Sequence, residues 1–382
     1  MADTQKVLKV LMIAGEASGD LLGGSLLKNL LSQFDGKIDI QGIGGSQMEA
    51  QGLNSLFPMS DLSVMGLLEI FPKIPKLLRR IKQTAKAIEH FKPDIVITID
   101  APDFCFRVVK RVRKKLNWDA QFVHYVAPTV WAWRPGRAKK VAKLYDKILC
   151  LFPFEPPYFE KEGMKAFYVG HPATELGLGE MSKKQARDIL GVGDRDDALC
   201  VLFGSRKGEL KRHGVLFANV VKDWLSKSHD RSILIQTLPH LRPQIEGLIS
   251  GFKDKVIICD KPEDKLAVFA ASDKAIAVSG TIGLELSFAK LPHIIAYRAN
   301  ALSFWIFKKL AKIRFAHLVN IMKAQEIIPE LIQDKCTHEN LLNALEALDI
   351  KQQKQDFETI AAEFKPDDGQ TAGHMAAMRV LS

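Results

Sequence analysis

Apolar positions along the chain fall into short β-branched runs separated by stretches with helical periodicity. The runs predict strands at 7–13, 38–42, 53–57, 94–99, 121–126, 147–151 and 166–169. Helices are expected between most of them, at 20–32, 76–90, 105–116 and 136–144. Strand and helix in alternation is the rhythm of βαβ units and a parallel, doubly wound sheet. The stretch GHPATELGLGE, 170–180, interrupts it with glycines and a proline and reads as a linker. The rhythm then restarts, with strands near 198–203, 232–236, 256–259, 274–278 and 293–297, and only helix is expected from about 338. The pattern predicts two open α/β domains of similar size, 1–172 and 173–364. Such sheets bind ligands at the carboxyl ends of their strands, so two of them facing each other would make a cleft.

One segment breaks the pattern. In SVMGLLEIFPKIPKLLRRIKQTAKAI, Ser63 to Ile88, the apolar residues Val64, Met65, Leu67, Leu68, Ile70, Phe71, Ile74, Leu77 and Leu78 are too dense for one solvent-facing amphipathic stripe. Lys73, Lys76, Arg79, Arg80 and Lys82 flank them, and Pro72 and Pro75 are expected to split the stretch in two. The pattern fits interfacial burial beside anionic headgroups. The alternative is a core helix with a basic outer face. A second aromatic and basic stretch, Ser303 to Phe315, favours the core alternative more strongly.

Composition narrows the class. The chain has 382 residues, 47% apolar and 26% charged, and its longest apolar runs fall short of a membrane span. The first apolar run is interrupted by Lys9 and ends in Gly15 and Glu16, so it reads as a strand rather than a signal peptide. The cysteines at 105, 150, 200, 259 and 336 are scattered through apolar stretches, as buried thiols in a reducing cytosol would be, and no Cys/His cluster suggests a metal. A net charge of +10 points to an anionic partner, with basic clusters at 107–115, 134–147 and 308–314. Nucleic acid is one such partner, but no zinc-finger spacing, RNP-type motif or recognition helix accompanies the charge.

Four glycine-containing loops follow strands. AGEASGD, Ala14 to Asp20, lacks the Gly-Lys-Ser/Thr ending of a P-loop, although Ser18 stands where it can approach a ligand; Ser18 or Asp20 is alternatively a helix cap. GIGGSQ, Gly42 to Gln47, lacks the third glycine and the ribose-binding acid of a dinucleotide site, which excludes NAD. LFGSRKGE, Leu202 to Glu209, offers Gly204, Ser205, Arg206 and helix-start amides to an anion. SGTIGLE, Ser279 to Glu285, makes a second phosphate-sized turn from Ser279, Gly280 and Thr281, with Glu285 placed to hold a ribose diol. For Glu285 the alternative is a glutamate favoured by the helix dipole. Two anion-binding turns suggest a nucleoside diphosphate. The first domain instead carries carboxylates at a strand end, Asp100 and Asp103 in IDAPDF, where a base could deprotonate an acceptor.

These loops carry a resemblance. AGEASGD (14–20), VMGLLEI (64–70), IDAPDF (99–104), HYVAPTVWAWR (124–134), FPFE (152–155), GSR (204–206), SGTIGLE (279–285) and the region from Tyr297 to Gln333 are similar to the lipid-A-disaccharide synthase family of bacterial glycosyltransferases, in order and over nearly the whole chain. The resemblance implies a GT-B architecture of two facing Rossmann-like domains, with helices at about 365–382 returning to the first. It implies UDP-2,3-diacylglucosamine as donor and 2,3-diacylglucosamine 1-phosphate as acceptor, joined with inversion in a β-1′,6 linkage, without metal or other cofactor. It assigns Tyr297, Asn320 and Glu326 to the donor side. It also implies a peripheral place on the anionic cytoplasmic face of the inner membrane and no nucleic-acid partner. The long helical tail allows a homodimer. Three positions depart from the family pattern: Phe203 and Val319 stand where proline is usual, and Ala324-Gln325 replaces Gly-Arg. A related rival is another GT-B enzyme, such as a UDP-sugar epimerase or a transferase with a soluble acceptor.

Inversion by one in-line displacement needs one general base within ~3 Å of the attacking hydroxyl. Asp103 is the expected base, with Pro102 fixing the turn; the resemblance places the family's catalytic aspartate there too. The alternative is that Asp103 only caps the helix that follows. Asp100 is expected to brace the loop, and Glu16 and Ser18 to touch the acceptor. The basic stretch Arg107–Lys115 then serves as an attractive environment for an anionic acceptor and membrane.

Overall fold

The computed structural model of the chain describes residues 6–62, 67–132, 135–278, 280–299, 314–365 and 369–382, and for 67–73 and 253 the backbone alone. The chain forms two compact units, one of Met1–Pro172 with Lys365–Ser382, the other of Ala173–Phe364.

The first unit is built on a parallel sheet of β1 (Val7–Ala14), β2 (Lys37–Ile43), β3 (Asn54–Ser55), β4 (Ile95–Ile99), β5 (Gln121–Tyr125), β6 (Lys147–Cys150) and β7 (Lys165–Tyr168), in the order β3-β2-β1-β4-β5-β6-β7. Helices cover both faces, which is why the central strands read as continuous apolar runs. Alternate residues of β1 serve opposite cores. Leu11 and Ile13 pack with Ile81, Ala85, Val108 and Val112, whereas Val10 and Met12 pack with Leu26, Leu30, Met375 and Val380. The second group joins the C-terminal helix Ala372–Leu381 to the first sheet. The chain reverses direction of growth between β1 and β4, so the switch point of the sheet lies between these two strands.

The second unit repeats the plan with β8 (Asp197–Leu202), β9 (Arg231–Gln236), β10 (Val256–Cys259), β11 (Lys274–Val278), β12 (His293–Tyr297) and β13 (Glu330–Ile332), ordered β10-β9-β8-β11-β12-β13 and all parallel. Its switch point falls between β8 and β11.

Two expectations about elements change. The strand expected at 53–57 shrinks to Asn54–Ser55, because Leu53 and Phe57 are held in the core while the segment between them barely pairs with β2. The prolines at 72 and 75 do not divide their segment: one helix runs from Leu67 to Phe91. Each proline removes one backbone hydrogen bond, but Ile81, Ala85 and Ile88 anchor the helix in the core beyond them. Among the described residues no helix is long and apolar enough to cross a membrane.

Candidate active site

The expected acceptor residues come together at the switch point of the first sheet. β1 and β4 pair so that Ala14 lies opposite Ile99, and the loops leaving them touch. A Cβ on Gly15 would meet the Ala101 Cβ at 2.6 Å, so glycine is what lets the loops close on each other. Asp100 and Ala101 both adopt left-handed backbone, with φ of 52° and 42°, and Val126 at the neighbouring strand end has φ 76°. Non-glycine residues in this region cost of order 1–3 kcal/mol each, and such strain gathers at functional sites. The Asp100 N–H donates to the Tyr125 carbonyl at 2.9 Å. Burial raises the Asp100 carboxyl above the usual range, and the Ala101 N–H, which donates to it, partly offsets that rise.

Asp103 follows in the first turn of the helix Pro102–Arg113. It is not the N-cap: that position is Ala101, which brings no side-chain cap. The Asp103 side chain is 95% exposed, with Arg137 Nη2 at 3.4 Å from its Oδ1. Glu16, at the end of the adjacent loop, and Ser18, in the first turn of the helix that follows it, are exposed. Glu16 is the backbone N-cap of the helix Ala17–Gln33 without a side-chain capping bond. Asp20 is spent elsewhere, since its buried carboxylate accepts from the amides of Gly45, Gln47 and Met48 at 2.7–3.1 Å. That contact also explains the glycine-rich turn Gly42–Gln47, whose amides serve an internal carboxylate.

Sequence reasoning missed Arg137 and the polar layer beneath it. The Thr98 hydroxyl bridges His124 Nδ1 at 2.7 Å and the Tyr145 hydroxyl at 3.0 Å. Burial pushes His124 down to about 3, and the nearby Arg137 charge adds to the effect, so the ring stays neutral. Nothing in the spacing of residues 98, 124 and 145 signals this; it needs the strand register that sets Thr98 opposite His124.

Most of the expected donor residues lie at the carboxyl ends of β8, β11 and β12. Gly204 has φ 94°, and Ser205 and Arg206 are exposed. The amides expected to meet an anion are already engaged: Ser205 N–H and Arg206 N–H donate to Glu209 Oε2 at 3.0 and 3.2 Å. The side chain of Glu209 thus takes the place of the expected anion, capping the helix Lys207–Ser226. Gly280 and Thr281 are exposed, and Ser279 lies outside the described residues. Glu285 is paired with Lys265 at 2.7 Å. Tyr297 stacks on His213, centroids 5.7 Å apart, while His213 Nε2 accepts from Arg298 N–H at 2.8 Å.

Asn320 differs from expectation. It is fully buried, its Oδ1 accepts from the Ile327 and Ile328 amides, and its Nδ2 donates to the Ile328 carbonyl and Glu330. The amide shapes the 320–330 loop instead of reaching outward, leaving Gln325 and Glu326 exposed on it. The three departures from the family pattern become legible here. Phe203 packs into the core against Phe217. Val319 N–H donates to His317 Nδ1 at 3.2 Å, a bond proline could not make. Ala324 has φ 51°, the conformation that suits glycine.

Of the expected membrane-docking residues, Val64 and Met65 lie outside the described residues, as does Ser303–Phe315 through Ile313; Leu67, Leu68 and Phe71 are described by backbone alone. Leu78 is 53% exposed, Arg79 is exposed and Leu77 is half-buried. Arg80 is not available to headgroups. Its guanidinium is bound to Asp61 at 2.6 and 2.9 Å and lies 4.2 Å from the Phe57 ring centroid. Among the described residues no group of His, Cys, Asp and Glu is arranged to hold a metal ion.

Known proteins share both the sequence and the fold of this chain. Residues 10–375 match the family model of lipid-A-disaccharide synthetase. The lipid-A-disaccharide synthase of Rhodospirillum centenum is 42% identical over 343 residues, covering 90% of this chain and 85% of the relative. That of Rickettsia typhi is 39% identical over 358 residues, covering 93% and 92%. Among solved structures, UDP-GlcNAc 2-epimerase from Neisseria meningitidis bound to UDP-GlcNAc aligns with a TM-score of 0.61 at 12% identity, over 98% of this chain and 99% of that one. A glycosyltransferase from Rickettsia africae aligns with a TM-score of 0.56 at 15% identity, over 99% of each. The structural likenesses show the fold, two Rossmann-like domains of the GT-B class.

Proposed function

The chain belongs to the lipid-A-disaccharide synthase family, and on that premise we propose that Asp103 is the general base of a glycosyl transfer from UDP-2,3-diacylglucosamine to 2,3-diacylglucosamine 1-phosphate. The observation that carries the assignment is the exposure of the Asp103 carboxylate on a strained tip at the switch point of the first sheet. In the reaction the acceptor's 6-hydroxyl attacks the donor's anomeric carbon as Asp103 takes its proton. The bond from that carbon to the UDP oxygen breaks with its electrons, and UDP leaves from the opposite face. The anomeric centre inverts, and the products are the β-1′,6-linked disaccharide 1-phosphate and UDP. Asp100 holds the tip, and Glu16 and Ser18 supply acceptor contacts. The second unit holds UDP, with the Gly204–Arg206 and Gly280–Thr281 turns on the pyrophosphate and Glu285 on the ribose. For the amides of Ser205 and Arg206 to serve the pyrophosphate, Glu209 must give way to it.

Both substrates carry acyl chains, so the enzyme works as a peripheral protein on the cytoplasmic face of the inner membrane, docking through the amino-terminal part of the helix Leu67–Phe91. The decisive experiment mixes purified protein with both acylated substrates and follows the products by mass spectrometry. The expected products are disaccharide 1-phosphate and UDP. Asp103→Ala should lower turnover by roughly 10²–10⁴-fold, the usual contribution of a positioned base, while UDP still raises the melting temperature. Turnover retained in the variant would remove Asp103 from the mechanism.

A further inference from the structure

Arg137 opens the helix Arg137–Ala142, and its side chain is 19% exposed. Among the described residues its ion pair is the Nη2 contact of 3.4 Å to Asp103 Oδ1. A charge-assisted hydrogen bond normally closes to about 2.7–2.9 Å, and a guanidinium has about five N–H donors to place. The Asp103 end of the pair is almost wholly in water, which screens the attraction. Below Arg137 lies an aromatic floor. Its guanidinium carbon is 5.5 Å from the Phe106 centroid, and Phe106 stands edge-on to His124 and Tyr145 at 5.1 and 5.6 Å. This floor holds the cation in place without neutralising it. Further positive charge surrounds the pair: Lys139 and Lys140 are exposed on the same short helix, and Arg107 is exposed one turn after Asp103 on the same face of its helix.

A mostly buried guanidinium whose ion pair among the described residues is this one loose contact, set among exposed cations, has the properties of an oxyanion receptor. We propose that Arg137 anchors the acceptor's anomeric phosphate, its planar fork taking two phosphate oxygens while Asp103 beside it faces the 6-hydroxyl, which C5 carries across the ring oxygen from the anomeric carbon. The inference rests on the reading that this unit takes the acceptor. It adds a specificity determinant to that reading: the phosphomonoester selects and orients the acceptor so that its 6-hydroxyl meets the base. Arg107, Lys139 and Lys140 supply a field that draws the anion in, and the fork sets its direction.

The test compares two acceptors, 2,3-diacylglucosamine 1-phosphate and the same compound without its phosphate, at fixed donor. kcat/KM is measured for wild type, Arg137→Gln and Arg137→Lys, with inhibition constants replacing turnover wherever the unphosphorylated compound reacts too slowly. Wild type should prefer the phosphorylated acceptor by roughly 10- to 100-fold, the worth of a charged hydrogen-bonded contact. Arg137→Gln should reduce that preference to within about threefold of unity, chiefly through a higher KM for the phosphorylated compound. Arg137→Lys should recover part of it as a point charge without the fork. An equal loss on both acceptors would make Arg137 a positioning residue for Asp103 and overturn the proposal, as would an unchanged preference. A UDP-dependent rise in melting temperature shows that each variant is folded, and if Arg137→Gln does not fold, Arg137→Lys carries the same comparison. If wild type makes no disaccharide from either acceptor, the reaction itself falls, and this anchor with it.

Discussion

Ala324 shows how a single backbone angle explains a departure from a family pattern. It ends the helix Leu318–Lys323 as a left-handed C-cap with φ 51° and ψ 26°, a position where glycine has no Cβ to crowd the carbonyl. L-residues hold this conformation at a cost of roughly 1–2 kcal/mol. Ala324→Gly should therefore stabilise the second unit by about 0.5–1 kcal/mol, with part of the gain lost to glycine's freer unfolded chain. Chemical denaturation followed through that unit checks this; a less stable variant would show that the turn is not strained. The same stretch shows what a residue type conceals. Asn320 is a polar residue in the region the family resemblance assigns to the donor, and the sequence cannot say that its amide is buried and fully bonded. The place of Asp103 just beyond a strand end was legible because a β-branched run, a proline and an acid mark that end. Arg137 was not, since it stands 34 positions along the chain from its partner, with a strand between.

The helix Leu67–Phe91 carries two surfaces that its sequence blends together. Ile81, Ala85 and Ile88 face the core. Ile74 and Leu78, 38% and 53% exposed, stand one turn apart on an outer face with Arg79 and Lys82 nearby. Arg80 belongs to neither, because Asp61 and Phe57 hold it. The dense apolar pattern announced an unusual helix, but only the packing separates its exposed apolar residues from its structural ones. The Ile74→Ser/Leu78→Ser double variant should reduce binding to phosphatidylethanolamine–phosphatidylglycerol vesicles by about tenfold, from the apolar area withheld from the interface. UDP affinity should stay as it is. Arg80→Ala should leave vesicle binding nearly unchanged and instead lower the melting temperature. Co-sedimentation in which Arg80→Ala loses binding and the double variant does not would reverse the assignment of the two surfaces.

At the scale of the molecule, the two sheets were legible because parallel strands buried on both faces leave long β-branched runs. The strand orders were not, since crossovers leave no mark in periodicity, and it is the order that puts the candidate loops at the switch points. The units also differ in what they bury, which gives them different responses to pH. In the second unit His293 and His317 meet through their Nε2 atoms at 3.2 Å. Burial holds His293 down at about 4 and His317 well below its ordinary value. Both are neutral when folded, so this stabilisation is complete above the unfolded value of 6.5 and fades as pH falls towards about 4. The first unit buries a histidine too, His124, but it also buries Glu155. The Trp131 indole N–H donates to one Glu155 oxygen at 3.1 Å and the Phe152 amide to the other at 3.2 Å, yet burial outweighs both and raises the carboxyl from 4.5 to about 8. A folded-state value above the unfolded one means that the folded unit keeps a proton the unfolded chain releases. Its contribution is greatest below pH 4.5 and is lost as pH rises to about 8. Glutamine has the same shape, and its carbonyl can still accept from Trp131, but it carries no titrating proton. Glu155→Gln should therefore remove the decline in first-unit stability between about pH 5 and 8. Hydrogen exchange of the first-unit core amides, measured across that range in both proteins, reads this directly. A slope unchanged by the substitution would mean that Glu155 is ionised in the folded protein, with its charge compensated by Trp131 and the loop amides.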